Sequence, residues 1–307
     1  MLSRAPVSPP SGPFVPVLVL SVLLLVPGPA LYAQSAASSP HPDSAAQTGP
    51  WVPPPSEYWH DAVDIARGPV ALSPAGRWRA LGATALLVGT AATLDVPAFK
   101  DLSTRSADGP ADWARDLTDP LAGPGEWYDR RNANRLALGV VGGLAASGLV
   151  LQNRAVTRTS VQTLEAVVFT EAVNGLLKSV LNRDRPYVGA EPEPFAYDVG
   201  AFRSDHAALA MPSGHAARVF AIASVLSESA GRWYVSVPLY AGAASVGLER
   251  VRSGDHWLTD VLVGAAVGEL IGRSVAGTPS SKPESTEGAV QYRPVVSTRK
   301  VGVTVQF

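Results

Sequence analysis

Met211-Pro212-Ser213-Gly214-His215 stands between a polar loop and the apolar run from Ala216 to Leu226, and it predicts the start of a helix. Ser213 is a typical N-cap residue, and Gly214 lets other groups approach the backbone closely. The free N–H groups at a helix N-terminus bind anions, and His215 places an acid–base group beside them. Taken alone, the stretch also fits an ordinary capped helix with a chance histidine.

Six helices are predicted around this stretch, which makes the fold class an all-α bundle. A shorter amphipathic helix, Glu57 to Val70, precedes them. The segments 95–134 and 182–211 are polar and rich in glycine and proline, and both are predicted to be irregular. The last two connections are very short, so the helices that they join should be antiparallel. The approximate bounds of the six helices are 79–94, 136–151, 160–181, 213–229, 233–248 and 256–274.

The N-terminus has the three-part form of a secretory signal peptide. Arg4 precedes the apolar run Phe14 to Val26, and small residues follow it as far as Ala33. An uncleaved membrane anchor is the alternative, but the run is short for a full span. We therefore predict export to the cell envelope, either to the periplasm or to a membrane surface. The predicted organisation is a signal peptide (1–33), a disordered linker (34–56), one domain (57–276, core 136–274), and a linker and tail (277–307) whose alternating end could form a β-strand.

Composition excludes several classes of protein. The chain has 307 residues, a net charge of −1 and no basic stripe, which argues against a nucleic-acid partner. It has no cysteine, which excludes disulfides, thiolate catalysis and cysteine-ligated metals. Three of the apolar helices, at roughly 15–16 residues each, fall short of the ~20 residues that cross a bilayer. The bundle therefore fits either the outer side of the inner membrane or partial embedding in it.

Polar residues concentrate at the helix ends that alternating directions would bring together. Lys178 lies in the last turn of the third predicted helix, and Arg185 lies just past its end. Arg250 lies just past the end of the fifth helix. His256 opens the sixth helix, and Asp260 follows one turn later. With Ser213, Gly214 and His215 at the start of the fourth, one end of the bundle should hold three cations, two histidines and one carboxylate.

Each of these residues has a structural explanation when taken singly. Lys178 and Arg250 could stabilise helix C-termini, and His256 with Asp260 could form a surface hydrogen bond. That spacing also suits metal ligands, but no third strong ligand is evident nearby.

Together these residues suit phosphoryl transfer, in which fixed cations stabilise the charge on phosphate oxygens. Lys178, Arg185 and Arg250 would bind the phosphate, with Ser213 and the Gly214 N–H adding hydrogen bonds. We assign His256 as the nucleophile, Asp260 as the group that orients it, and His215 as the general acid.

The spacing of these residues resembles a three-part family signature. The pattern is Lys178-(six residues)-Arg185-Pro186, then Pro212-Ser213-Gly214-His215, then Arg250-(five residues)-His256-(three residues)-Asp260. It is similar to that of the type 2 phosphatidic acid phosphatase (PAP2) and vanadium haloperoxidase superfamily. The resemblance implies an all-α core, metal-independent phosphatase chemistry through a phosphohistidine, and the residue roles given above. One departure is Glu249, which stands where the family usually has serine, and which could hold the Arg250 guanidinium or weaken anion binding there.

Three functions follow as expectations. The first is an exported phosphatase that needs no cofactor and cleaves phosphomonoesters or pyrophosphates, with lipid phosphates as the expected substrates and membrane association. The second is a haloperoxidase with vanadate bound by His256. The third is a membrane-associated bundle that binds anionic headgroups without catalysis. His206, together with Asp205 and Arg203, either lines the substrate entrance or belongs to a solvated loop.

Overall fold

The computed structural model describes residues 55–67, 82, 85–189, 191–201, 205–277, 291–297 and 300–306. The predicted signal peptide and most of the two predicted linkers lie outside these residues. In the described part of the chain, a continuous helical stretch starts at residue 85, passes through a π-helical turn, Ala91–Asp95, and ends at Leu102. The α-helices are α1 (Pro55–Arg67), α2 (Val96–Leu102), α3 (Asp112–Asp129), α4 (Ala133–Val150), α5 (Arg154–Leu181), α6 (Gly214–Ala230), α7 (Trp233–Arg252) and α8 (Leu258–Gly277).

Helix α6 lies at the centre of the bundle, in contact with α5, α7 and α8, while α3 packs on α7 and α4 on α5. Phe220 of α6 packs against Tyr240 of α7. On its other side, Val225 packs with Ile271 and Val275 of α8. The predicted all-α bundle is therefore confirmed. The described residues form eight α-helices, one more than the seven predicted, because α3 lies in a segment that was predicted to be irregular and α2 continues the first predicted helix.

Glycines let α6 and α8 approach each other closely. A Cβ atom at Gly268 would lie 1.9 Å from the Ala217 carbonyl oxygen, and one at Gly264 would lie 2.4 Å from the Ser213 carbonyl oxygen. No side chain fits at these distances. These close contacts therefore fix the start of α6 against the first three turns of α8.

The prediction of an irregular segment at 95–134 is wrong, because α2 and α3 lie there. Helix α3 contains Pro120 and Pro124, residues that normally break a helix. Ser245 of α7 completes the backbone hydrogen bonding of α3. Its hydroxyl accepts from the Gly125 N–H at 2.9 Å and donates to the Leu121 carbonyl at 2.6 Å. The buried stripe of α3 consists of small residues, which gives a weak hydrophobic pattern: Ala114, Thr118, Ala122 and Gly125.

Several ends also differ from the predictions. Helix α7 continues to Arg252, so Arg250 lies inside its last turn and not beyond it. Helix α8 begins at Leu258, so His256 precedes it and does not open it. Helix α1 begins at Pro55, two residues before its predicted start at Glu57. The C-terminal strand is present as Lys300–Gln306, and it pairs antiparallel with a second strand, Gln291–Ser297, that was not predicted.

Candidate active site

The structure brings the predicted site residues to one end of the bundle. The Lys178 ammonium donates to the Leu209 carbonyl at 2.8 Å, which joins the end of α5 to the loop before α6. The Ser213 N–H donates to the Asp260 carbonyl at 2.9 Å and so joins the starts of α6 and α8. These contacts confirm that the starts of α6 and α8 meet, as alternating helix directions predict.

His256 and Asp260 face each other without a hydrogen bond. His256 Nδ1 lies 3.7 Å from Asp260 Oδ2, a distance that suits an ion pair but is too long for hydrogen bonding. Oδ2 instead accepts the Trp257 N–H at 2.9 Å. Burial, reinforced by Lys178 and Arg185, holds the pKa of His256 well below its usual range. The imidazole is therefore neutral at pH 7, which is the form that can act as a nucleophile. The orienting role of Asp260 stays a prediction.

Arg183 was assigned no role from the sequence, yet its side chain is completely buried beside Asp260. Its Nη1 lies 2.5 Å from Asp260 Oδ1 and donates to Thr259 Oγ1 at 2.8 Å. Its Nη2 donates to Asp95 Oδ2 at 2.7 Å. The sequence offered only one signal for Arg183, an arginine two residues before Arg185.

The two predicted phosphate-binding arginines already have carboxylate partners. Arg250 pairs with Asp129 at the end of α3 and with Asp255. Arg185 Nη1 lies 3.5 Å from Asp255 Oδ1. Sequence analysis missed both carboxylates, Asp129 because it lies in the segment predicted to be irregular. Both guanidiniums are buried, so the pairing offsets the cost of removing their charges from water.

His206 touches the site through Arg185. Its carbonyl oxygen accepts from Arg185 Nε at 2.9 Å, and its ring Nε2 lies 3.1 Å from Arg185 Nη2. The residue is exposed and lies beside the buried Arg185 guanidinium, a position that favours the entrance over a remote loop. Asp205 caps the short 3-10 turn His206–Ala208 by accepting the Ala208 N–H, and Arg203 lies outside the described residues.

His215 lies at the start of α6, with Nε2 3.9 Å from Asp129 Oδ1. Burial first, and then the Arg250 guanidinium, lowers the pKa of His215 to about 4. The ring is therefore neutral at pH 7 until a negative charge comes close to it. Burial, followed by the charge of Arg185, also lowers the pKa of Lys178 to about 8, so this ammonium is still largely charged at neutral pH.

Several buried polar atoms at this end of the bundle have no hydrogen-bond partner. Among the residues that the structure describes they include Ser213 Oγ, Arg250 Nε, His256 Nδ1 and Asn174 Oδ1. Ser213 occupies the N-cap position, as predicted, but its hydroxyl makes no capping bond. Unsatisfied buried groups are costly. An oxyanion at the start of α6 could satisfy both the hydroxyl and the guanidinium N–H.

Two further expectations concern metals and Glu249. No group of three histidine or carboxylate side chains converges on a possible metal position within the described ranges. Glu249 does not hold the Arg250 guanidinium. It lies 3.3 Å from Arg252 Nη1, because successive side chains on α7 point in different directions. Burial raises the pKa of Glu249.

Comparisons with known proteins show what the segment that carries this site is similar to. Residues 160–281 match the model of the PAP2 superfamily. The chain is 44% identical over 80 residues to a lipid A 1-phosphatase of Porphyromonas gingivalis, an alignment that covers 25% of this chain and only 18% of that relative. The crystal structure of Aquifex aeolicus LpxE is similar with a TM-score of 0.38 and 23% identity, over 54% of this chain and 87% of that chain. All eight predicted site residues, Lys178 to Asp260, lie within the segment that matches the PAP2 superfamily model.

Proposed function

We propose that this protein is a phosphatase that hydrolyses phosphomonoester or pyrophosphate groups of lipid phosphates through a phosphohistidine at His256. The observation that carries the proposal is the convergence of neutral His256 with Lys178, Arg185 and Arg250 at the start of α6. A neutral imidazole among fixed cations suits attack on a phosphorus atom whose oxygens those cations neutralise.

In the first step, His256 Nε2 forms a bond to phosphorus while the bond from phosphorus to the leaving oxygen breaks. The electron pair goes to that oxygen, which takes a proton from His215. The pKa of about 4 in the free site means that His215 acquires this proton only with the substrate. A phosphate dianion beside the ring favours the imidazolium form and thereby raises its pKa.

In the second step, His215 is neutral and accepts a proton from water. The hydroxide attacks phosphorus, the bond to Nε2 breaks, and inorganic phosphate leaves. Positive charge develops on the His256 ring during the first step and is lost in the second. The Asp260 carboxylate, 3.7 Å from Nδ1, stabilises that charge. The chain's own residues supply every proton transfer, and no metal or other cofactor takes part.

The outer surface of the bundle supports the proposals of a lipid substrate and of membrane association. Among the described helices, α4 is long and apolar enough to cross a bilayer by length and composition, and only 11% of it is buried. Leu149 and Val150 of α4 and Trp233 of α7 are among the large apolar side chains that are mainly exposed. Large apolar surfaces mark contact with a membrane or a partner. The printed activity of the P. gingivalis relative supports a lipid phosphate, and the N-terminal sequence supports export.

The test is phosphate release by the purified full chain in mixed micelles. The substrates are phosphatidic acid, phosphatidylglycerol phosphate, undecaprenyl pyrophosphate, lipid A and a soluble aryl phosphate. We expect turnover of at least one lipid, and a loss of ~10³-fold or more in His256→Asn. His60→Asn, on the exposed face of α1, is the matched control and should keep full activity.

Trapping distinguishes the mechanism from the activity. Acid quenching during turnover of a labelled substrate should leave acid-labile phosphate on the wild-type chain and none on His256→Asn. Release by His256→Asn at the wild-type rate would contradict the phosphohistidine. Failure to release phosphate from all five substrates would contradict the phosphatase, and halide oxidation with vanadate and peroxide would then favour a haloperoxidase.

A further inference from the structure

A buried charge network connects the site to the start of α2. Arg183, Asp95 and Asp260 each have completely buried side chains, and the arginine bridges the two carboxylates. Thr259 completes the network, since its hydroxyl donates to Asp95 Oδ2 at 2.6 Å and its N–H donates to Asp95 Oδ1 at 2.9 Å. Buried ion networks are weak contributors to stability, because desolvation cancels most of their attraction. Stability alone is therefore a poor reason for this one.

The surroundings hold the Arg183 guanidinium in one orientation. Its Cζ lies 5.3 Å from the ring centroids of both Tyr197 and Trp257. The Pro194 carbonyl accepts from both Nε, at 3.1 Å, and Nη2, at 2.6 Å. A planar fork can meet these partners together, whereas a lysine ammonium of the same charge cannot. The geometry therefore demands arginine at this position.

The Arg183 guanidinium determines where Oδ2 of Asp260 points. With Oδ1 held by Arg183 and the Trp257 N–H on Oδ2, the carboxylate plane is fixed with Oδ2 towards His256 Nδ1. The charged groups that act on Asp260 include Arg183, Lys178 and the ring of His256 when it is protonated. Burial raises the pKa of Asp260, and the Arg183 charge is the largest of the effects that lower it.

We propose that Arg183 is a positioning residue for the reaction, which aims the Asp260 carboxylate at His256 Nδ1. The proposal rests on the proposed phosphatase function, in which His256 becomes positively charged. Arg183 contacts no reacting atom and acts through Asp260.

The test compares Arg183→Lys with Arg273→Lys. Arg273 is the matched control, because its Nε lies 2.6 Å from the partly buried Glu269 on the same helix as Asp260, but away from the site. We expect Arg183→Lys to lower kcat by about 10²-fold, as for a misplacement of about 1 Å, and to change KM little. The acidic limb of its pH profile of kcat/KM should lie at higher pH than in wild type, because Asp260 ionises less readily without the arginine. Arg273→Lys should change neither quantity.

A second variant keeps the proposal testable if Arg183→Lys does not fold, and a spectroscopic signal keeps it testable if the chain hydrolyses none of the substrates. Asp95→Asn removes a negative charge beside Arg183, so that Asp260 is the one carboxylate that Arg183 still pairs with in this network. The acidic limb of the pH profile of kcat/KM should then stay where it is in wild type or move to lower pH. In ¹⁵N NMR of the His256 ring, wild type should show the tautomer with the proton on Nδ1, and Arg183→Lys a mixture.

The outcomes separate the two proposals. The ring tautomer needs no substrate, so the inference is tested even if the chain hydrolyses nothing and the phosphatase function fails. The role of Arg183 would be overturned if Arg183→Lys had the kcat and the pH profile of wild type. It would also be overturned if the acidic limb of kcat/KM moved to higher pH in Asp95→Asn. A wild-type tautomer signal in Arg183→Lys would overturn it as well.

Discussion

Gly264→Ala should damage the site by moving α8 away from α6. The added Cβ would lie 2.4 Å from the Ser213 carbonyl oxygen, whereas real Cβ contacts are essentially never under 3.0 Å, so the helices must separate by about 0.6 Å there. That shift acts on the Ser213 N–H, which donates to the Asp260 carbonyl at 2.9 Å. A misplacement of about 1 Å costs on the order of 10²-fold in rate, so we expect kcat to fall about tenfold.

Stability changes less than activity in this variant. Overpacking costs about 1–3 kcal/mol, but alanine is about 0.5–1 kcal/mol better than glycine inside a helix. The net loss is on the order of 1 kcal/mol, or about 2–4 °C in Tm for a domain of this size. Gly242→Ala on α7 is the control, since a Cβ there meets nothing within 4 Å. The assays are thermal unfolding and phosphate release, and a Gly264→Ala variant that matches Gly242→Ala in both refutes the reasoning.

Three further predictions concern the charges of the site. Inorganic phosphate should inhibit wild type progressively less as pH rises through about 8, where free Lys178 loses its proton. In Lys178→Arg the inhibition constant of phosphate should not rise over this range. The same pH dependence in both proteins would contradict the assignment of Lys178. Glu249→Ser should change kcat/KM by less than about threefold, because Glu249 pairs with Arg252, and a larger effect in steady-state kinetics would implicate it in phosphate binding. Prolonged dialysis against a chelator should leave phosphate release unchanged, whereas activity restored only by an added divalent cation would contradict the metal-independent mechanism.

Sequence reasoning succeeded where spacing and helix direction carried the information. The order Lys178, Ser213, Arg250 and His256, with short connections between the last helices, was sufficient to place these residues at one end of the bundle. It failed where tertiary contacts override local propensity. Helix α3 contains two prolines, and the hydroxyl that completes its ladder comes from Ser245, 120 residues away from Gly125. No local pattern could have shown that.

The same limit hid the carboxylates of the site. Asp129 reaches Arg250 only because α3 packs on α7, and Asp95 reaches Arg183 only because the π-helical turn packs on α8. Sequence alone gives the positions of such residues but not which distant element they will contact. Arg183 could have been suspected from its place beside Arg185, but the identity of its partners depends on three separate elements of the chain.

These hidden carboxylates change the electrostatics of the site. Three cations were predicted to face the phosphate, but Asp129 and Asp255 already contact the guanidiniums of Arg250 and Arg185. Lys178 donates to a neutral carbonyl instead. Among the residues that the structure describes, no carboxylate contacts it directly, so its charge is the part of the positive charge that remains. A phosphate must therefore share the two arginines with their carboxylates, and a dianion competes for them better than a monoanion does. Because that remaining charge belongs to the group whose pKa is about 8, the site's affinity for phosphate should follow the titration of Lys178 and not that of the arginines.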